Sequence, residues 1–253
     1  IDILADPDRY ASHRPAANGN TLPIVVYNGL SWARTDVVRF KPPVGHAHVT
    51  AIRTSAGDRV PFDVDASGNV IFIAKGIPSM GYATFEVLTG PGKVVSTLKS
   101  LPGRSAENAR FAVQLNTDGT IRSIRDKQAN RELVNTKGER QFNDLLRVEG
   151  SDASAVSYPV APRIAVKKGA QMTEITVLRE RSSFPLSRIT IYDGLDRVDL
   201  RNELDPKAIP FPGGSGNWSD SYYFAFPFNL SNDGLKVMRG GQRYFDRLPD
   251  DYL

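Results

Sequence analysis

Between positions 197 and 205 the odd residues are Arg197, Asp199, Arg201, Glu203 and Asp205, with Val198, Leu200 and Leu204 among the even ones. Successive side chains of an extended strand point to opposite faces, so this spacing sets all five charges on one face. Carboxyl groups in pairs are what glycosidic hydrolysis requires, and a retaining enzyme holds two of them about 5–5.5 Å apart across the scissile bond. Asp199, Glu203 and Asp205 are the richest group in the chain for that chemistry. The same pattern equally makes a solvated sheet face with opposite charges in register. No motif singles out a pair among the 28 acidic residues, so the expectation is the solvated face, and no catalytic residue is assigned.

Metal chemistry has little to draw on. Zinc is held by His, Cys, Asp or Glu, and here there is no cysteine and only His13, His46 and His48. His46 and His48 would project to one side of a strand, where an ordinary exposed pair is expected; no metal site is assigned. Five rings occur in seven residues at Tyr222, Tyr223, Phe224, Phe226 and Phe228. Aromatic faces can stack on sugars, but Tyr222, Phe224, Phe226 and Phe228 share one face of a strand, as a buried core would.

The elements that must carry these residues are strands. The chain has 253 residues, 40% hydrophobic and 24% charged, with a net charge of +4 from interspersed signs. That balance argues against nucleic acid as a partner, because it gives no basic stripe. No apolar run approaches the roughly 18 residues that span a bilayer, so no membrane role is expected. Residues 1–21 carry Pro7, Pro15 and Asn18-Gly19 without a sustained period and read as a linker. Short β-rich runs follow at 23–27, 36–40, 48–54, 59–64, 70–73 and 82–87, separated by turn residues such as Asn28-Gly29 and Gly57-Asp58. They predict a small, immunoglobulin-like β-sandwich over 22–98. Gly90-Pro91-Gly92 and Leu101-Pro102-Gly103 bracket a connecting strand or linker.

A larger β domain is expected over 99–253. Phe111, Val113 and Leu115 alternate, Asp118-Gly119 supplies a positive-φ turn, and residues 121–124 return as the partner strand. Further strands are predicted at 144–149, 163–167, 173–181, 187–192, 197–204, 221–228 and 235–239. A weak helical pattern covers 138–146. The fold class is all-β, in two parts.

Several stretches, in their order, resemble glycoside hydrolase family 38, the α-mannosidases. Tyr27-Asn28-Gly29-Leu30-Ser31-Trp32 is similar to the start of that family's first carboxy-terminal β domain, and Ile77-Pro78-Ser79-Met80-Gly81-Tyr82 to a later turn. The hairpin across 107–133, Tyr192-Asp193-Gly194-Leu195-Asp196, Tyr223-Phe224-Ala225-Phe226-Pro227-Phe228 and Tyr244-Phe245-Asp246-Arg247-Leu248-Pro249 complete the series. The resemblance implies a small β-sandwich followed by a truncated part of a galactose mutarotase-like supersandwich, both ends being cuts within a longer polypeptide. It implies that the parent is a zinc-dependent retaining α-mannosidase with a catalytic barrel and a helical domain, which are this region's partners, and a mannoside substrate. Zinc and nucleophile would lie in the parent's catalytic domain, with no cofactor in this region, which alone would be inactive. The family's His-x-Asp zinc motif is absent here. By resemblance, the segment 236–243 matches a hairpin that leans toward the active site, which makes Arg239 and Arg243 the substrate-binding candidates. Gly240-Gly241-Gln242 stand where relatives can carry further basic residues. An independent carbohydrate-binding module is the alternative.

Overall fold

The computed structural model of the chain describes residues 20–43, 48–149, 152–156, 160–205, 207–208, 220–230, 238–240 and 245–247. Among them there is no helix: the fold is all-β, built from antiparallel sheets. Most of the expected linker, through residue 19, lies outside the described residues, and Thr21 already belongs to the first strand.

The first group of strands is β1 (Thr21–Asn28), β2 (Arg34–Phe40), β3 (His48–Thr54), β4 (Arg59–Val60), β5 (Phe62–Val64), β6 (Val70–Ile77) and β7 (Gly81–Gly90). They form two sheets, β1-β7-β3-β4 and β2-β6-β5. The single run expected over 59–64 is divided: β4 pairs with β3 and β5 with β6. Pro61 lies between them, and a residue without an N–H cannot continue a ladder, so the chain changes sheets there. Val26, Val38, Ile52, Phe72 and Val87, all nearly inaccessible, fill the space between the sheets.

The second group begins with β8 (Lys99–Leu101), β9 (Ser105–Glu107), β10 (Phe111–Leu115), β11 (Ile121–Asp126) and β12 (Arg131–Glu132). It continues with β13 (Asp144–Glu149), β14 (Asp152–Ala155), β15 (Arg163–Lys168), β16 (Met172–Leu178), β17 (Leu186–Tyr192) and β18 (Val198–Glu203). Its last strands are β19 (Asp220–Ala225), β20 (Met238–Gly240) and β21 (Phe245–Arg247). The hairpin read from Asp118-Gly119 is β10–β11, and Gly119 has φ +83°, where a Cβ would be strained and would overlap Val177. The segment bracketed by the Pro-Gly pairs is a connection that ends in a strand: 93–98 carry no strand, and β8 extends the sheet β18-β17-β16-β15-β8; beyond the second pair, β9 joins β12-β11-β10-β9. These two sheets enclose a core in which Phe111, Val113 and Ile121 meet Ile175, Val177 and Ile189. Each such side chain contributes about 1.5–3 kcal/mol on burial.

The weak helix at 138–146 is not formed. Asn143 sits at φ +63°, outside the right-handed helical region, Phe142 bridges to Ile121, and β13 starts at Asp144. Tertiary pairing overrides a short local pattern here.

A third buried cluster joins the two groups. In β6 alternate residues point into the first core, and the intervening Ile71 and Ile73 are also buried, against Met172, Tyr192 and Leu195. Asp63 of β5, with no exposure, accepts hydrogen bonds from Ala170 N and Gln171 N, both at 2.7 Å, and from the Thr97 hydroxyl at 3.2 Å. The β15–β16 turn is thereby gripped by a carboxylate of the first group. Gly169 lies so close to this carboxylate that a Cβ there would overlap it.

Candidate functional site

β18 places its charges on the outer face of the five-stranded sheet, as period two requires, while Val198 and Leu200 pack on the core. Opposite charges pair along the strand rather than across it. Arg197 binds Asp199 at 2.8 Å, and Arg201 binds Glu203 at 3.1 Å. Arg197 also reaches Asp36 of β2 at 2.8 Å, adding a charged contact to the junction; Arg34 pairs with the same carboxylate. Asp205 accepts the Lys207 N–H at 2.9 Å. Four residues of strand put Asp199 and Glu203 about 13 Å apart, well beyond either glycosidase separation. Every acid of this group has a structural partner.

Beside β18 lies a cavity of about 420 Å³, open to solvent, at the meeting of β2 with β16, β17 and β18. Its polar lining includes Arg39, Glu174, Arg188, Thr190, Tyr192, Asp199 and Arg201. The register places Arg188 directly opposite Arg201 and Thr190 opposite Asp199. Burial pushes the Tyr192 phenol above its ordinary pKa, and the Asp199 charge adds to this; Arg39, hydrogen-bonded to the phenol, acts in the other direction. Tyr192 is thus a neutral hydrogen-bonding group at physiological pH. This cavity was not legible in the sequence, because it is made by register between strands far apart in the chain.

A second polar centre is sealed. Asn143, fully buried, donates to the Ser187 hydroxyl at 3.0 Å and to Asn202 Oδ1 at 3.2 Å, and Asn202 donates back to Asn143 Oδ1 at 2.6 Å. Next to it Asp144 is 8% exposed, and burial, reinforced by the Asp118 charge, pushes its carboxyl above the usual range. Asn143, Ser187 and Asn202 satisfy one another and stitch the start of β13 to β17 and β18.

The aromatic run packs on one face as expected, but incompletely. Phe224 meets Phe184 edge-on at 5.0 Å, and Phe226 and Phe228 meet buried Phe142 at 5.3 and 5.0 Å. Phe226 and Phe228 nonetheless keep 42% and 50% of their surface exposed. Of the histidines, His48 lies in β3 against Gly92, and its buried Nδ1 has no hydrogen-bond partner among the described residues. His13 and His46 lie outside the described residues. Among the described residues no group of three or more His, Cys, Asp or Glu is arranged to hold a metal ion.

The Arg239 backbone lies in β20, paired with Asp246 of β21; Arg243 falls in the connecting segment outside the described residues. The hairpin expected around 236–243 is therefore present in its paired strands, and its tip and these two side chains are not described.

An all-β chain of antiparallel sandwich sheets, with the acids of β18 engaged structurally, defines the class. No family model matches the sequence. The chain is similar to a lysosomal alpha-mannosidase of Dictyostelium discoideum, 28% identical over 234 residues that cover 76% of this chain and 22% of the relative. It thus spans about a fifth of that protein's length, and the similarity supports a glycosidase-related origin.

Proposed function

We propose that this chain is the non-catalytic carboxy-terminal β region of an α-mannosidase-like enzyme of glycoside hydrolase family 38. Its role is to support a catalytic barrel and border the carbohydrate cleft. The observation that carries this reading is the similarity to an alpha-mannosidase over most of this chain but only 22% of the relative. The order of the motifs quoted above adds to it. Residues 22–98 form the small sandwich and 99–253 part of the supersandwich, clamped by Asp63 and the buried junction into one support. The barrel and helical domain of the same polypeptide are the partners, and the mannoside and zinc belong to the catalytic portion. Arg239 and Arg243 border the cleft, since a guanidinium offers a fixed donor fork to hydroxyls or carboxylates.

The exposed rings of the aromatic strip favour a second reading, an independent carbohydrate-binding module. Calorimetric titration of the chain with mannose and mannobiose separates the two. A supporting region gives no saturable heat; saturable binding that disappears in Tyr223→Ala, whose ring is exposed, would establish the module instead.

A further inference from the structure

We propose that the cavity between β2 and the β16–β18 sheet face binds an oxyanion, a carboxylate, sulfate or phosphate group, between Arg188 and Arg201. This inference stands independently of the mannosidase reading. Arg188 and Arg201 face each other directly across antiparallel strands. Such positions bring side chains within about 5 Å, and like charges there destabilise the pair unless an anion lies between them. The Arg188 Nε is buried without a hydrogen-bond partner among the described residues, a costly state for a charged donor. Among the described residues Arg201 is tied to Glu203 alone, at 3.1 Å, with side-chain exposures of 68% and 42%. Exposed pairs of this kind contribute little, so the guanidinium is free to turn inward.

The acids lining the cavity are directed elsewhere. Asp199 is held by Arg197 at 2.8 Å, and Glu174 accepts the Thr176 hydroxyl at 3.2 Å and stands opposite Lys167 in the register. Arg39 is paired with Asp65 at 3.0 Å. Arg188 is left as the cation without a counter-charge among the described residues, and its planar fork matches an oxyanion in bidentate geometry. A volume of about 420 Å³ exceeds what a bare ion needs. The remaining space, with Thr190 and Tyr192 on its wall, suits the hydroxyls of an acidic sugar.

The test is titration of the chain, at fixed ionic strength, with inorganic sulfate, inorganic phosphate, glucuronate and, as the neutral control, glucose. The expected result is one-site saturable binding of at least one anion with a Kd of about 1 mM or tighter, and none of glucose. Tighter binding of glucuronate than of the inorganic ions identifies a sugar-borne group; the reverse identifies the free ion. Arg188→Gln weakens binding about tenfold or more, the loss of a charge-assisted bidentate contact. Arg201→Gln, on a mostly exposed side chain, weakens it several-fold without altering the urea midpoint, which keeps the test decisive if Arg188→Gln does not fold. Absence of saturable binding by all three anions overturns the proposal, as does binding that neither substitution changes.

Discussion

Asp63→Ala lowers the stability of the chain by about 3–5 kcal/mol, the range for removing a buried charged acceptor of several hydrogen bonds. The carboxylate has no exposed surface and accepts from Ala170 N, Gln171 N and the Thr97 hydroxyl. Alanine leaves these donors without an acceptor and a void where β5 meets the β15–β16 turn. Urea unfolding measures the effect as a midpoint lower by about 1 M or more. Gly169→Ala attacks the same clasp from the other side, because its Cβ would occupy the position of the Asp63 carboxylate. The two substitutions share one interaction, so the double variant is less destabilised than the sum of the single changes. A loss below about 1 kcal/mol for Asp63→Ala, the level of an ordinary surface change, would contradict the assigned role.

Asn143→Ala is the second large effect, about 3 kcal/mol, from two separable causes. It removes the bonds to Ser187 and Asn202, leaving the Asn202 amide donor without the Asn143 acceptor while Ser187 and Asn202 keep their own bond. It also places a non-Asn, non-Gly residue at φ +63°, a conformation that asparagine tolerates and alanine does not. Asn143→Gly removes the network but relieves the backbone, and it is expected to recover about 1 kcal/mol relative to alanine. Equal stabilities for the alanine and glycine variants would show that the backbone conformation carries no cost.

Much of this fold was legible from period and punctuation. Alternation placed Phe111, Val113 and Leu115 inward and put the charges of β18 on one face, and Asp118-Gly119 located the β10–β11 turn. Those signals are local, acting over a few residues of one strand. The helical pattern at 138–146 misled because the pairing of Phe142 with Ile121 and the left-handed Asn143 are decided by distant strands. The run at 59–64 has the composition of one strand, yet Pro61 divides it between two sheets. Asp63 gives no signal between Phe62 and Val64, since two of its partners, Ala170 and Gln171, are more than 100 residues away. In β18 the alternation was visible, but not that Arg201 would oppose Arg188, which only strand register decides. The candidate site belongs to this non-local class, whereas the fold class belongs to the local one.

In the proposed role these strands support a catalytic unit whose reacting groups they do not contain. That role is tested most directly by assaying the purified chain for hydrolysis of a nitrophenyl α-mannoside, first free of metal and then with added zinc. The account predicts no turnover above the uncatalysed rate in either condition. Sustained turnover by the metal-free chain, with the nitrophenol release abolished by Asp199→Asn or Glu203→Gln, would contradict it.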